Sequence, residues 1–131
     1  MSKYTARLTA PAKTDRHYYS NDNAFFRSGF GMPNCTEYAY GRFAEITGKF
    51  PKMYGNAEDW WDEAKKAGYE TGQVPKLGAI CVWKAGQTHN SVDGAGHVAI
   101  VEQIKANGDI VTSNSAWKGL EFYTQEITKA Q

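Results

Sequence analysis

The chain has no long apolar run, no excess of charge of either sign and almost no cysteine, and each lack excludes something. No segment approaches the roughly 20 apolar residues that span a bilayer. The N-terminal stretch MSKYTARLTAPAK has none of the apolar character of a secretory leader. The chain is therefore expected to be made in the cytoplasm, with no membrane partner. Fifteen Lys and Arg stand against fourteen Asp and Glu, a formal charge of +1 with no basic run. Electrostatic capture of nucleic acid has no footprint in such a sequence. Two cysteines, Cys35 and Cys81, allow at most one disulfide, and their settings differ: Cys81 lies in the apolar run AICVW, whereas Cys35 opens a helix. That spacing gives no disulfide framework. No repeat and no second domain is visible in the 131 residues, so one domain over 1–131 is expected.

What is present has a clear order. Residues 1–32 are rich in Ser, Asn, Gly and aromatics without a sustained period, and they read as loops or short irregular pieces. A helix is predicted over 34–47: Asn34 is a good N-cap, Glu37 stands where a capping-box acid belongs, and Cys35, Tyr38, Ala39, Arg42, Phe43 and Ile46 keep helical spacing up to Gly48. Gly41 inside this helix costs propensity, and a strand packed closely on it would explain the residue. A second helix is predicted over 56–67, with Asn56 as cap and Trp60, Ala64 and Ala67 as its inner stripe. The period then changes. AICVW (79–83) reads as a short strand buried on both sides, and HVAIVEQIK follows as a second strand. Asn107-Gly108 signals a hairpin whose return strand is DIVTSN, and LEFYTQEI supplies a last strand. Helices first and an antiparallel sheet after them make the class α+β.

The placement of Cys35 carries chemistry. A thiol on the first turn of a helix meets unsatisfied backbone N–H groups and the positive end of the macrodipole, which favours thiolate. Taken alone, a cysteine there is more often a small buried hydrophobe. Of the three histidines, His17 and His89 fall in expected loops, and His97 starts an apolar strand directly after Gly96. That position holds an imidazole rigidly at a sheet end, although a lone histidine there is more often just a polar strand terminus.

The segments PNCTEYAYGRF, NAEDWWDEAKKAGY, VPKLGAICVW and GAGHVAIVEQIKANGDIVTSNSAW, in this order and spacing, resemble the CHAP family of cysteine, histidine-dependent amidohydrolases/peptidases. The resemblance covers about residues 30–120 and implies a papain-like fold. It also implies hydrolysis of an amide bond in bacterial cell-wall peptidoglycan, as amidase or endopeptidase. Cys35 of the NC motif is then the nucleophile and His97 of GHV the base. The residue that orients the histidine lies on the following strand, within TSNSAW, where Asn114 fits. With no leader visible, the chain looks like a phage endolysin catalytic domain, a monomer made in the host cytoplasm that acts on the cell wall.

Amide hydrolysis through a covalent intermediate needs a nucleophile, a proton acceptor, a group that fixes the acceptor's tautomer, and oxyanion donors. The Cys35 backbone N–H is the expected oxyanion donor. Strand alternation tests the third role separately from the resemblance. His97, Ala99 and Val101 share one face, which excludes Glu102 as the orienting acid. A two-residue turn at Asn107-Gly108 pairs Val101 with Asn114 and leaves Asn114 on the right face but roughly 13 Å along from His97, beyond hydrogen-bond reach. A bulge or longer turn that slides the strands to pair His97 with Asn114, preserving the face, is therefore expected.

The remaining features are assigned more plainly. Trp60 and Trp83 are expected in the core, and Trp117 is left open. Asp15, Asp22 and the SNDN run could hold calcium, but the D-x-[DN]-x-[DN]-G rule is not met, so no metal and no cofactor is expected. Two other readings stay open: a catalytically silent wall-binding module, and a cysteine peptidase or acyltransferase acting on a different amide.

Overall fold

The computed structural model describes residues 6–29, 34–53, 55, 57–69, 71–72, 76–83, 97–115 and 122–127. After a short helix α1 (Ala24–Arg27), helix α2 (Cys35–Thr47) forms where the sequence predicts one. Asn34 Oδ1 accepts from the Thr36 and Glu37 N–H groups at 2.9 and 3.0 Å, and Gly48, in the left-handed region at φ 84°, ends the helix. The reciprocal glutamate cap does not form. Asn34 donates its own N–H to Ser115 Oγ at 3.0 Å instead, and Glu37 is fully buried.

Helix α2 is buried well beyond its apolar stripe because the N-terminal segment covers a second side of it. A Cβ added to Gly41 would lie 2.5 Å from the His17 carbonyl oxygen and 2.7 Å from Tyr18 Cδ1. The close approach expected at Gly41 is thus real, but an irregular segment makes it rather than a strand. Asn23, fully buried, fastens that segment. Its Oδ1 caps α1 through the Phe25 and Phe26 N–H groups, and its Nδ2 donates to the carbonyls of His17 (2.8 Å) and Glu37 (3.0 Å). The Tyr18 ring stacks on Tyr38 of α2 with centroids 5.4 Å apart.

The second predicted helix begins as a 3-10 turn, Ala57–Asp59, before α3 (Trp60–Lys66). Asp59 makes no side-chain cap bond, and an uncapped first turn tightens readily to 3-10 geometry. Asn56 lies outside the described residues. Trp60 is fully buried and Ala64 packs beside it, but Ala67, at the C-cap, is exposed.

The strands β1 (Ile80–Trp83), β2 (His97–Ile104), β3 (Ile110–Asn114) and β4 (Tyr123–Ile127) form an antiparallel sheet in the order β1-β2-β3-β4. With the helices packed on it, this is the α+β, papain-like arrangement expected. Among the described residues β1 lies at the sheet edge, and it is half-buried along its length rather than buried on both sides. Val98 and Ile100 join Tyr38, Ala39 and Trp60 in the main core, whereas Val101, Ile110 and Ile127 form a smaller cluster with Ala79, Cys81 and Trp83. The two faces of β2 thus serve two different cores.

The β2–β3 hairpin differs from a two-residue turn. Lys105 N–H donates to the Asp109 carbonyl at 2.8 Å, and Gly108, at φ 93°, donates to the Lys105 carbonyl at 3.0 Å. This is a three-residue loop with glycine in the left-handed position. A bulge follows at Glu102: Gln103 pairs with Val111, but Val101 pairs with Thr112. Turn and bulge each shift the register by one, so together they move Asn114 two residues nearer His97 and keep it on the same face. The strands do not slide far enough to pair His97 with Asn114 directly. By the observed register Asn114 falls opposite Ala99, on the diagonal from His97.

The bulged Glu102 is almost fully buried and well satisfied. Its Oε1 accepts from Arg42 Nη2 and the Arg7 N–H, both at 2.8 Å, and its Oε2 accepts from Arg42 Nε at 2.9 Å and Ser113 Oγ at 2.6 Å. Glu45 extends the network, receiving Arg42 Nη1 at 2.9 Å, Tyr18 Oη at 2.7 Å and Arg7 through Nε and Nη2. Burial works against the Glu45 charge, but these donors outweigh it and hold the carboxyl down to about 2.

Glu102→Ala should lower stability by about 3–5 kcal/mol in urea unfolding, because it strands the Arg42 guanidinium in the interior. A loss no larger than that of a surface pair, about 1 kcal/mol or less, would contradict the arrangement. Glu45 has a folded pKa below its ordinary 4.5, so its contribution is complete above that value and is lost as pH falls toward about 2. Urea unfolding across that window should show stability declining, and Glu45→Gln should remove part of the decline. A Glu45→Gln protein with the parent's full acid slope would argue against the network.

Candidate active site

The site is built at one end of the sheet by the strand register. His97, the first residue of β2, points its Nε2 at Asn114 Oδ1, 2.8 Å away. Diagonal neighbours in an antiparallel pair stand roughly 7–8 Å apart at Cα, a gap that an imidazole and an amide together can bridge. Asn114 is fully buried, and its Nδ2 donates to Thr112 Oγ1 at 2.9 Å and to the Tyr123 carbonyl at 3.4 Å. With both amide N–H groups so directed, Oδ1 is the end that meets the ring, and Nε2 is the protonated nitrogen. Nδ1 is then the basic one.

Cys35 reaches the same end of the sheet by another route. It is the first residue of α2, half-buried, and the cap residue before it, Asn34, is bonded to Ser115. The start of the helix is therefore tied one residue along the chain from the histidine's partner. Tyr123, paired with Asn114 on β4, has its hydroxyl pKa raised first by burial and then by the charge of Cys35 nearby. Thr36 and Glu37 N–H groups are engaged by the Asn34 cap, which takes them out of consideration as oxyanion donors.

The run TSNS uses both faces of its strand. Thr112 and Asn114 face the site, whereas Ser113 receives Tyr38 Oη at 2.6 Å and Ser115 receives the Asn34 N–H on the helix side. Alternate residues build the site and hold the helix that bears Cys35. Glu102 is spent on Arg42 and Ser113, in keeping with its exclusion as the histidine's partner.

Two neighbours are not expected at the site from the sequence. Trp83, expected in the core, packs half-buried against the smaller cluster, and its ring lies 5.7 Å from the His97 ring, tilted by 30°. The antiparallel pairing of AICVW with HVAI sets Trp83 opposite His97, so laying out that pairing would have found it. Tyr123 had no comparable signal, because its position depends on β4 docking beside β3. His17 is held by Asp15, Nδ1 to Oδ1 at 2.8 Å, and its backbone lies against Gly41, about 9 Å along α2 from Cys35. Asp22 pairs with Arg16 at 3.0 Å. His89 and Trp117 lie outside the described residues.

The family model of the CHAP domain matches residues 26–116. The chain belongs to the CHAP family. It is 32% identical over 111 residues to a probable autolysin LDP of Staphylococcus aureus, covering 85% of this chain and 37% of that protein. It is also 34% identical over 96 residues to the staphylococcal secretory antigen ssaA2, covering 72% of this chain and 30% of the relative. A crystal structure of an N-acetylmuramoyl-L-alanine amidase from Staphylococcus aureus superposes with a TM-score of 0.66 at 34% identity, over 76% of this chain and 29% of the other. The chain thus spans little more than a third, or less, of the length of these relatives.

Within the CHAP match fall Cys35, His97 and Asn114, together with the bulge and hairpin that align the last two. Cys81 also falls within it but is placed differently. It packs against Val101, Ile110 and Ile127, and burial pushes its thiol up to about 11. A maleimide at neutral pH should therefore leave Cys81 unmodified in the folded protein, as read by peptide mass mapping. Cys81→Ala should keep whatever lytic activity the parent has and lower stability by about 1 kcal/mol. Rapid labelling of Cys81, or activity lost in a folded Cys81→Ala protein, would mean that the wrong thiol was set aside.

Proposed function

We propose that this CHAP domain hydrolyses an amide bond of bacterial cell-wall peptidoglycan by cysteine nucleophilic catalysis. The observation that carries the proposal is the His97–Asn114 bond at 2.8 Å, formed beside the start of the helix that bears Cys35. It makes the imidazole a base with a defined basic nitrogen. In this reading Nδ1 of His97 takes the Cys35 proton, and the thiolate adds to the amide carbonyl. The imidazolium then protonates the leaving amine, and water attacks the thioester with the same nitrogen as base. The Cys35 backbone N–H is the proposed oxyanion donor.

The wall as substrate is supported by the relatives, named as an autolysin and as an N-acetylmuramoyl-L-alanine amidase. The latter name favours the glycan-to-peptide amide over a bond within the peptide. An autolysin and an endolysin need the same chemistry, so the proposal concerns the reaction and not its setting.

Turbidity of a Gram-positive cell suspension should fall with the parent and stay flat with Cys35→Ala, while both unfold at similar urea concentrations. Mass spectrometry of the digested wall should show new amino groups on alanine paired with free muramic acid. New amino groups elsewhere in the peptide would replace amidase by endopeptidase. Undiminished lysis by Cys35→Ala would refute the mechanism.

A further inference from the structure

An asparagine is an ambiguous partner for a histidine, and the structure contains the device that removes the ambiguity. The two ends of the Asn114 amide have nearly the same shape. Turned one way, Oδ1 accepts from Nε2–H and leaves Nδ1 basic. Turned the other way, the amide N–H needs a bare Nε2, which sends the ring proton to Nδ1 and removes the base. Something must therefore hold the amide in one orientation. The sheet backbone on β4 can do this, because its carbonyls only accept.

Thr112 connects the two. Its Oγ1 lies 3.3 Å from the Gln125 carbonyl, to which it can only donate, and this turns the hydroxyl lone pairs toward Asn114 Nδ2 at 2.9 Å. The Tyr123 carbonyl, 3.4 Å from the same Nδ2, is a second and longer acceptor. Thr112 and Asn114 are both fully buried, so no solvent competes for these bonds. A β-branched side chain has few χ1 rotamers, which keeps the hydroxyl in place.

We propose that Thr112 is a positioning residue that sets the His97 tautomer by orienting the Asn114 amide. Its catalytic consequence rests on the hydrolase reading; its effect on the ring does not. The direction of the bonds runs from His97 through Asn114 and Thr112 to the Gln125 carbonyl, so backbone geometry on β4 decides which imidazole nitrogen is basic on β2. A carboxylate at position 114 has two accepting ends and needs no such guidance.

The test reads the His97 ring by nitrogen NMR in the full chain, with His97→Gln for assignment, alongside the rate of wall hydrolysis. The parent should hold the Nε2–H form. Thr112→Val should populate the Nδ1–H form and lower kcat about tenfold with KM little changed, the scale on which supporting shells act. Thr112→Ser should recover most of both. In an Asn114→Asp background, Thr112→Val should change neither the tautomer nor the rate. Thr112→Ala provides the same comparison if the valine variant does not fold. An unchanged tautomer in Thr112→Val, or an equal loss of rate in the Asn114→Asp background, would overturn the proposal. A parent with no wall hydrolysis would refute the hydrolase reading, and the NMR comparison would still decide the role of Thr112.

Discussion

The buried carboxylate of Glu102 is the constraint on which the rest of the structure depends. It sits at the β2 bulge, takes the Arg42 guanidinium in a two-pronged bond, and accepts in addition from Ser113 and the Arg7 backbone. A charge this deep is tolerable only when its lone pairs are occupied. Satisfying it brings α2, β3 and the N-terminal segment to one point. Glu102 faces α2 by the same alternation that points Val98 and Ile100 there, and the bulge at its position corrects the strand register, so a single position ties helix docking to site alignment.

That coupling explains how His97 and Asn114 meet from two different strands. The three-residue turn alone would move every side chain of β3 to the wrong face, since strands alternate with a period of two. The bulge adds the second shift and restores the face. His97 then reaches Asn114 on the diagonal, while Ser113 and Ser115, on the opposite face, fasten α2 through Tyr38 and Asn34. The site is pre-positioned by backbone geometry, with little left to side-chain freedom.

The N-terminal segment contributes in a way its irregularity conceals. Residues 6–25 precede the CHAP match, yet Tyr18, Asn23 and Arg7 cover and charge-pair a second side of α2, beside the one packed on the sheet. Gly41 is the sequence's concession to this covering, because the His17 carbonyl occupies the space of its side chain. Helix α2 is consequently held on two sides, and the end that bears Cys35 is held by its cap residue.

Local rules were enough for much of this. Asn34 and Gly48 delimited α2, alternation placed His97 and Asn114 on one face and excluded Glu102, and Asn107-Gly108 located the hairpin. These depend on backbone geometry within a few residues, which the sequence by itself determines. Tyr123 near Cys35, the diagonal rather than direct pairing and the segment over Gly41 were not legible in the same way. Each arises from contacts between segments distant along the chain. Only the tertiary structure could decide them, because a shift of one residue between strands alters no local preference but exchanges which side chains face each other.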